Sequence, residues 1–135
     1  VTGVWTGVAE AYARSFAGLC AGAVPTMLDG LPPGTRLLDV GCGTGALVAE
    51  ARRRGHDAVA VEADPEMAAL AQGRLGDDVA VAALPDLPHA GAGFDAVTAN
   101  FVLNHVDDPR ASARELVRVA APGGRVRATI WTSAP

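Results

Sequence analysis

The stretch Leu37-Leu38-Asp39-Val40-Gly41-Cys42-Gly43-Thr44-Gly45 decides how this chain is read. A short apolar strand over 36–40 runs into three glycines at alternate positions. A helical pattern over 46–54 follows, until Gly55 stops it. Glycine in such a turn permits positive φ and lets a ligand approach the backbone with no Cβ in between. Strand, glycine turn and helix in this order open a βαβ unit.

The same alternation continues downstream. Residues 58–62 read as a strand, and Asp64-Pro65 as an N-cap followed by proline at the first helical position. That helix runs to about Leu75 and ends at Gly76. A strand over 79–82, a Pro- and Gly-rich loop over 84–93 and a strand over 94–100 follow. Asp108-Pro109 starts another helix in the same way, Pro122-Gly123-Gly124 turns the chain, and 125–131 reads as a fifth strand. Upstream, 4–29 carries apolar residues at helical spacing, and Leu31-Pro32-Pro33-Gly34 breaks it. Alternating strands and helices predict an α/β fold: a doubly wound, mostly parallel, Rossmann-like sheet. Its length of 135 residues predicts one domain, with a helical lid over 1–30 and a core over 36–131.

In such sheets ligands bind at the carboxyl ends of the strands, where the glycine loop lies. With Ala46 the loop also reads as G-x-G-x-x-A, the dinucleotide pattern. Asp39 separates the two readings. A carboxylate there repels a pyrophosphate, by roughly 3 kcal/mol per unit charge at ~5 Å and an effective dielectric near 20. It attracts a ligand carrying an ammonium and a sulfonium group, as S-adenosylmethionine does. The plainer alternative is that Asp39 only accepts from local amides. Glu62 ends the second strand, where an ionised carboxylate can accept from both hydroxyls of a ribose. That suits either nucleoside cofactor, and a solvated glutamate at a strand end is the alternative.

The stretch 37–45 closely resembles motif I of the class I S-adenosylmethionine-dependent methyltransferases. Val61-Glu62-Ala63-Asp64-Pro65-Glu66-Met67 is similar to that family's ribose motif, and Leu87-Pro88 through Phe94-Asp95-Ala96-Val97 to its loop into strand four. Asn100 to Pro109, and Glu115-Leu116-Val117-Arg118-Val119 to Pro122-Gly123-Gly124, resemble its later motifs. The likeness is strongest to small-molecule methyltransferases of the ubiquinone-biosynthesis type. It implies strand order 3-2-1-4-5 and S-adenosylmethionine held by Tyr12, Asp39, Gly41, Gly43, Glu62, Ala63, Met67, Leu84 and Asn100. Ala63 and Met67 would pack on the adenine, the Leu84 amide would reach its ring, and Tyr12 would touch the cofactor carboxylate. Two departures stand out. Ala83 occupies the position where the family usually has an adenine-binding Asp. The chain also ends just after strand five, so it reads as truncated and without the family's C-terminal hairpin. Strand 125–131 would then be an open edge for a partner chain or second copy to cover.

No catalytic residue is assigned. His105, after strand four, is the best-placed candidate base, while His56 and His89 read as solvated. Cys20 and Cys42 form no disulfide framework and, with Asp107 and Asp108, no metal set. The net charge of −4, with arginine the only cation and Arg52-Arg53-Arg54 the only basic run, argues against nucleic acid. The lack of a long apolar run argues against a membrane span. The expectation is a cytoplasmic enzyme that transfers methyl groups to a small molecule. A cofactor-binding module or noncatalytic subunit is the alternative, and a nicotinamide oxidoreductase the remote one.

Overall fold

The computed structural model describes residues 7–14, 16–77 and 79–132, and leaves out the side chains of 12–16. Five strands form one parallel sheet of order β3-β2-β1-β4-β5: β1 Arg36–Val40, β2 Asp57–Glu62, β3 Ala80–Val81, β4 Phe94–Asn100 and β5 Ala120–Thr129. This is the expected doubly wound order. The longer helices are α4 Ala46–Arg53, α5 Pro65–Leu75 and α6 Pro109–Val119.

β1 lies in the middle of the sheet because its side chains are apolar on both faces. Leu37 packs with Leu47, Val48 and Ala58 on one side, and Leu38 with Val97, Leu116 and Val119 on the other. Both leucines are fully buried, each stabilising the fold by roughly 2 kcal/mol. Asp39 shares the parity of Leu37, so a carboxylate is carried into the interior with the strand. α5 and α6 begin with the same device. The Asp64 carboxylate accepts from the Glu66 and Met67 amides at 2.9 and 3.1 Å, and Asp108 accepts from the Ala111 amide at 3.0 Å. A proline stands in the first turn of each.

Two expectations change. The stretch read as one helix over 4–29 is broken, among the described residues, into α1 Ala9–Arg14, α2 Phe16–Ala21 and α3 Val24–Leu28. Gly22 and the proline opening α3 interrupt it, and the Gly22 amide turns back onto the Leu19 carbonyl. The last strand also ends early. β5 bulges at Pro122-Gly123-Gly124, since Phe94 pairs with Ala120 and Ala96 with Arg125, and its ladder stops at Thr129 instead of residue 131. Beyond it Trp131 leaves the sheet and stacks on Phe101.

Three contacts hold the helical segment over the strand ends. The Gly7 amide donates to Glu66, and the Asn100 side chain donates to the Cys20 carbonyl. Arg127 of β5 donates to the carbonyls of Thr26, Met27 and Asp29 at the end of α3. β5 is an edge among the described strands, with Val126 39% exposed, and it carries Arg125 and Arg127.

Candidate functional site

The glycine loop closes tightly on the end of the sheet. The Gly41 and Cys42 amides both donate to the Val61 carbonyl, at 2.8 and 3.1 Å. Gly41 has φ +72, and a Cβ there would lie 2.5 Å from a methyl of Val102. Gly45, at φ +93, starts α4 and leaves space for the Leu75 side chain. The loop therefore needs glycine both for its backbone conformation and for the closeness of its neighbours.

A cavity of about 190 Å³ opens above this loop at the carboxyl ends of the strands. Gly41, Gly43, Glu62, Ala63, Met67 and Leu84 all line it, as does Asn100. So does Ala83, which brings a methyl group to the wall and no hydrogen-bonding side chain. A smaller hollow of about 30 Å³ is lined by Asp39, Thr44, Gly41 and Asn100, the last two bordering both spaces. Asp39 thus faces the hollow and not the main cavity. Tyr12 lies on α1, but its side chain is outside the described residues.

Glu62 links loop to cavity. One carboxylate oxygen accepts from the Gly43 amide at 2.9 Å and the other from the Asp64 amide at 2.8 Å. These bonds fix the carboxylate and leave lone pairs for further donors. Burial pushes its pKa up, against the pull of those amides. Asp39 is 2% exposed and accepts from the Thr98 hydroxyl at 2.7 Å, across the Asp39–Thr98 register of β1 and β4. Burial raises its pKa to about 7; the Thr98 bond opposes the rise and the nearby Glu62 adds to it. Such a carboxyl ionises readily once a cation binds beside it.

Asn100 has a heavier structural role than its sequence position suggests. Its amide donates to Cys20 at 3.0 Å, and its oxygen accepts from the Thr129 hydroxyl at 2.5 Å. The histidine expectations need correction. His56 is 8% exposed and its Nδ1 has no partner. His89 is half-buried, edge-on to Phe94 at 5.4 Å, with its pKa lowered first by burial. Neither is fully solvated: His56 is buried in the turn between α4 and β2, and His89 is packed against the Phe94 ring. His105 lines the cavity, and burial also lowers its pKa. Burial drives the Cys42 thiol strongly upward, away from the thiolate a nucleophile requires. Among the described residues, no group of three or more His, Cys, Asp or Glu side chains could hold a metal ion.

Sequence reasoning missed Thr98, Phe101, Val102 and Trp131. A threonine level with an aspartate on adjacent buried strands is a signal for Thr98. The other three enter the cavity through a backbone turn that residue types do not announce.

The methyltransferase domain profile matches residues 38–128, which takes in the glycine loop and the Glu62 strand end and reaches into all five strands. The chain belongs to the methyltransferase domain family. Among curated methyltransferases, it is 38% identical over 101 residues to the ubiquinone biosynthesis O-methyltransferase of Xanthomonas axonopodis pv. citri. That alignment covers 70% of this chain and 42% of the relative. The structure of CalS10, an amino pentose methyltransferase of Micromonospora echinaspora with S-adenosylmethionine bound, shares 32% identity at a TM-score of 0.71. It covers 96% of this chain and 58% of that one. Streptomyces venezuelae DesVI shares the fold at a TM-score of 0.77 and 24% identity, over 91% of this chain and 57% of that one. This methyltransferase domain spans about half the length of the curated relatives it matches. Among its described residues no helix is long and apolar enough to cross a membrane.

Proposed function

We propose that this domain binds S-adenosylmethionine and transfers its methyl group to a small-molecule acceptor. The observation that carries the reading is Glu62, held in the cavity wall by the Gly43 and Asp64 amides beside Ala63 and Met67. A carboxylate so fixed suits a ribose diol, and the apolar pair beside it suits a purine face. Asp39 and Asn100 would take the methionyl end through the smaller hollow, with Tyr12 on α1 in support. Residues 1–30 would act as the lid, as the contacts from Gly7, Cys20 and α3 favour.

A dinucleotide fits poorly. The Gly43 amide, one of those that would cradle a pyrophosphate, is already taken by Glu62. Among the described residues, the cavity wall also carries Glu62, Asp64, Asp107 and Asp108 and no arginine.

When bound, the cofactor supplies a methyl group made electrophilic by its sulfonium. The chain's own task is to hold that group in line with the nucleophile and to keep water out. No side chain need form a covalent intermediate, and the buried Cys42 is not suited to one. A cytoplasmic setting and a chain covering β5 belong to the same proposal, and nucleic acid does not.

Calorimetric titration with S-adenosylmethionine and S-adenosylhomocysteine tests the reading. Micromolar binding is the expected result, and a folded chain that binds neither would overturn it. Binding without turnover on any acceptor would favour a cofactor-binding module instead.

A further inference from the structure

The strand order gives the cavity two sides. Glu62, Ala63, Met67 and Leu84 lie toward β2 and β3. Phe101, Val102, His105, Val106 and Trp131 lie toward β4 and β5. The second group is left unused by the cofactor reading, and it is built with unusual care.

Phe101 follows β4 at φ +58, a left-handed conformation that aromatic residues rarely adopt. Two bonds hold it there, from its amide to the Thr129 carbonyl at 3.1 Å and to the Thr129 hydroxyl at 3.0 Å. The turn sets the Phe101 ring flat against Trp131, with centroids 4.1 Å apart and planes 13° from parallel. Asn104 fixes the Trp131 backbone from both sides. Its Oδ1 accepts from the Trp131 amide at 3.0 Å, and its Nδ2 donates to the Trp131 carbonyl at 3.3 Å. Core packing does not account for this, since Trp131 is 37% exposed. Strained backbone that its surroundings hold in place is a mark of functional walls. Among the described residues, the charges lining the cavity are carboxylates, with no arginine to pair an anion.

We infer that the Phe101–Trp131 stack is the specificity-determining wall of the acceptor side of this cavity, shaped for a flat ring that carries no negative charge. This rests on the methyl-transfer reading above and names its substrate class. A hydroxyl or amine on such a ring donates a lone pair to the methyl carbon. The carbon–sulfur bond would break with its electrons left on sulfur, and the methylated oxonium or ammonium product would lose its proton to bulk solvent on release.

The test is calorimetry on the chain saturated with S-adenosylhomocysteine, with three probes. These are 2,3-dihydroxynaphthalene, its saturated counterpart decalin-2,3-diol, and the flat anion 3-hydroxy-2-naphthoate. The flat neutral diol should bind about 10-fold more tightly than either comparator. Trp131→Leu should lose about 10-fold for that probe, and Trp131→Phe, which keeps a stacked ring, less than about 3-fold. Both variants should keep their affinity for S-adenosylhomocysteine, which also reports that they fold. Equal binding of the saturated diol, or full retention by Trp131→Leu, would overturn the inference and leave the cofactor reading standing. Absence of S-adenosylhomocysteine binding by the unmodified chain would overturn both.

Discussion

Replacing Asp39 with asparagine should make the chain more stable and worse at binding its cofactor. Asp39 is buried and its pKa stands at about 7, against an ordinary value of 3.8. Its ionised form is therefore disfavoured in the folded state. Between pH ~4 and ~7 the unfolded chain binds fewer protons than the folded one, so this carboxyl makes stability fall as pH rises through that window and level off above it. The full gap of about three pKa units corresponds to roughly 4 kcal/mol, an upper bound. Glu62, whose pKa is also raised, adds a slope of the same sign. Asparagine keeps the hydrogen bond to Thr98 and carries no proton to lose. Asp39→Asn should therefore gain roughly 2–4 kcal/mol at pH 8 and flatten most of the slope. Cofactor binding should move the other way. A cation beside Asp39 needs it ionised, so affinity should weaken about 10-fold from pH 8 to pH 6 in the unmodified chain. Asp39→Asn should remove that pH dependence and cost about 100-fold at pH 8, from roughly 3 kcal/mol of lost attraction. Urea titrations from pH 5 to 8, paired with calorimetry for S-adenosylhomocysteine, measure both halves. Equal stability at pH 5 and pH 8, or unchanged affinity in Asp39→Asn, would refute the reasoning.

Other predictions follow from single contacts. Gly41→Ala should destabilise the chain by about 2 kcal/mol or more in urea titration, because it combines positive φ with a Cβ 2.5 Å from Val102. Ser112→Ala should be neutral or stabilising by up to ~1 kcal/mol, since this fully buried hydroxyl on α6 has no hydrogen-bond partner. Glu115→Ala should speed hydrogen exchange in the 84–93 loop and weaken cofactor binding by about 3- to 10-fold. Glu115 accepts from the Leu87 amide at 2.8 Å and pairs with Arg118, which donates to the carbonyls of Leu87 and His89. Exchange in that loop unchanged from the parent would count against such a clamp.

Much of this architecture is legible in the chain because its signals are local. The strand Arg36–Val40, the glycine turn and the helix behind it are written in adjacent residues. Asp64-Pro65 and Asp108-Pro109 carry the chemistry of a helix start in two positions each. The parallel order follows from the alternation, with few topologies allowed. The features that escaped are those where a residue answers to a distant partner. Glu115 and Arg118 stand in the sequence only as part of a stretch resembling a family motif, and their grip on Leu87 depends on how a loop far away in sequence folds back. Nothing in the letters of Phe101 marks a left-handed backbone; Thr129, on another strand, imposes it. The first helices looked continuous because apolar spacing survives a glycine that the backbone does not. In the candidate site, the glycine loop and Glu62 could be read from their spacing. That Asp39 borders a separate hollow, and that Asn100 is tied to Cys20 and Thr129, required three dimensions.

Arg127 carries a consequence for the order of events on the ribosome. Its guanidinium is what ties the end of α3 to the sheet, through carbonyls about a hundred residues earlier in the chain. While the chain is being made, β1 can already pair with β2, yet α3 has no anchor of this kind until β5 has emerged. The polar tie at the end of α3 thus forms after the apolar contacts that Val24, Met27 and Leu28 make with β1 and α4 become possible. The segment over the site is therefore fastened in two stages, with its apolar side packing first against β1, α4 and β2 and the Arg127 bonds closing only after β5 is made.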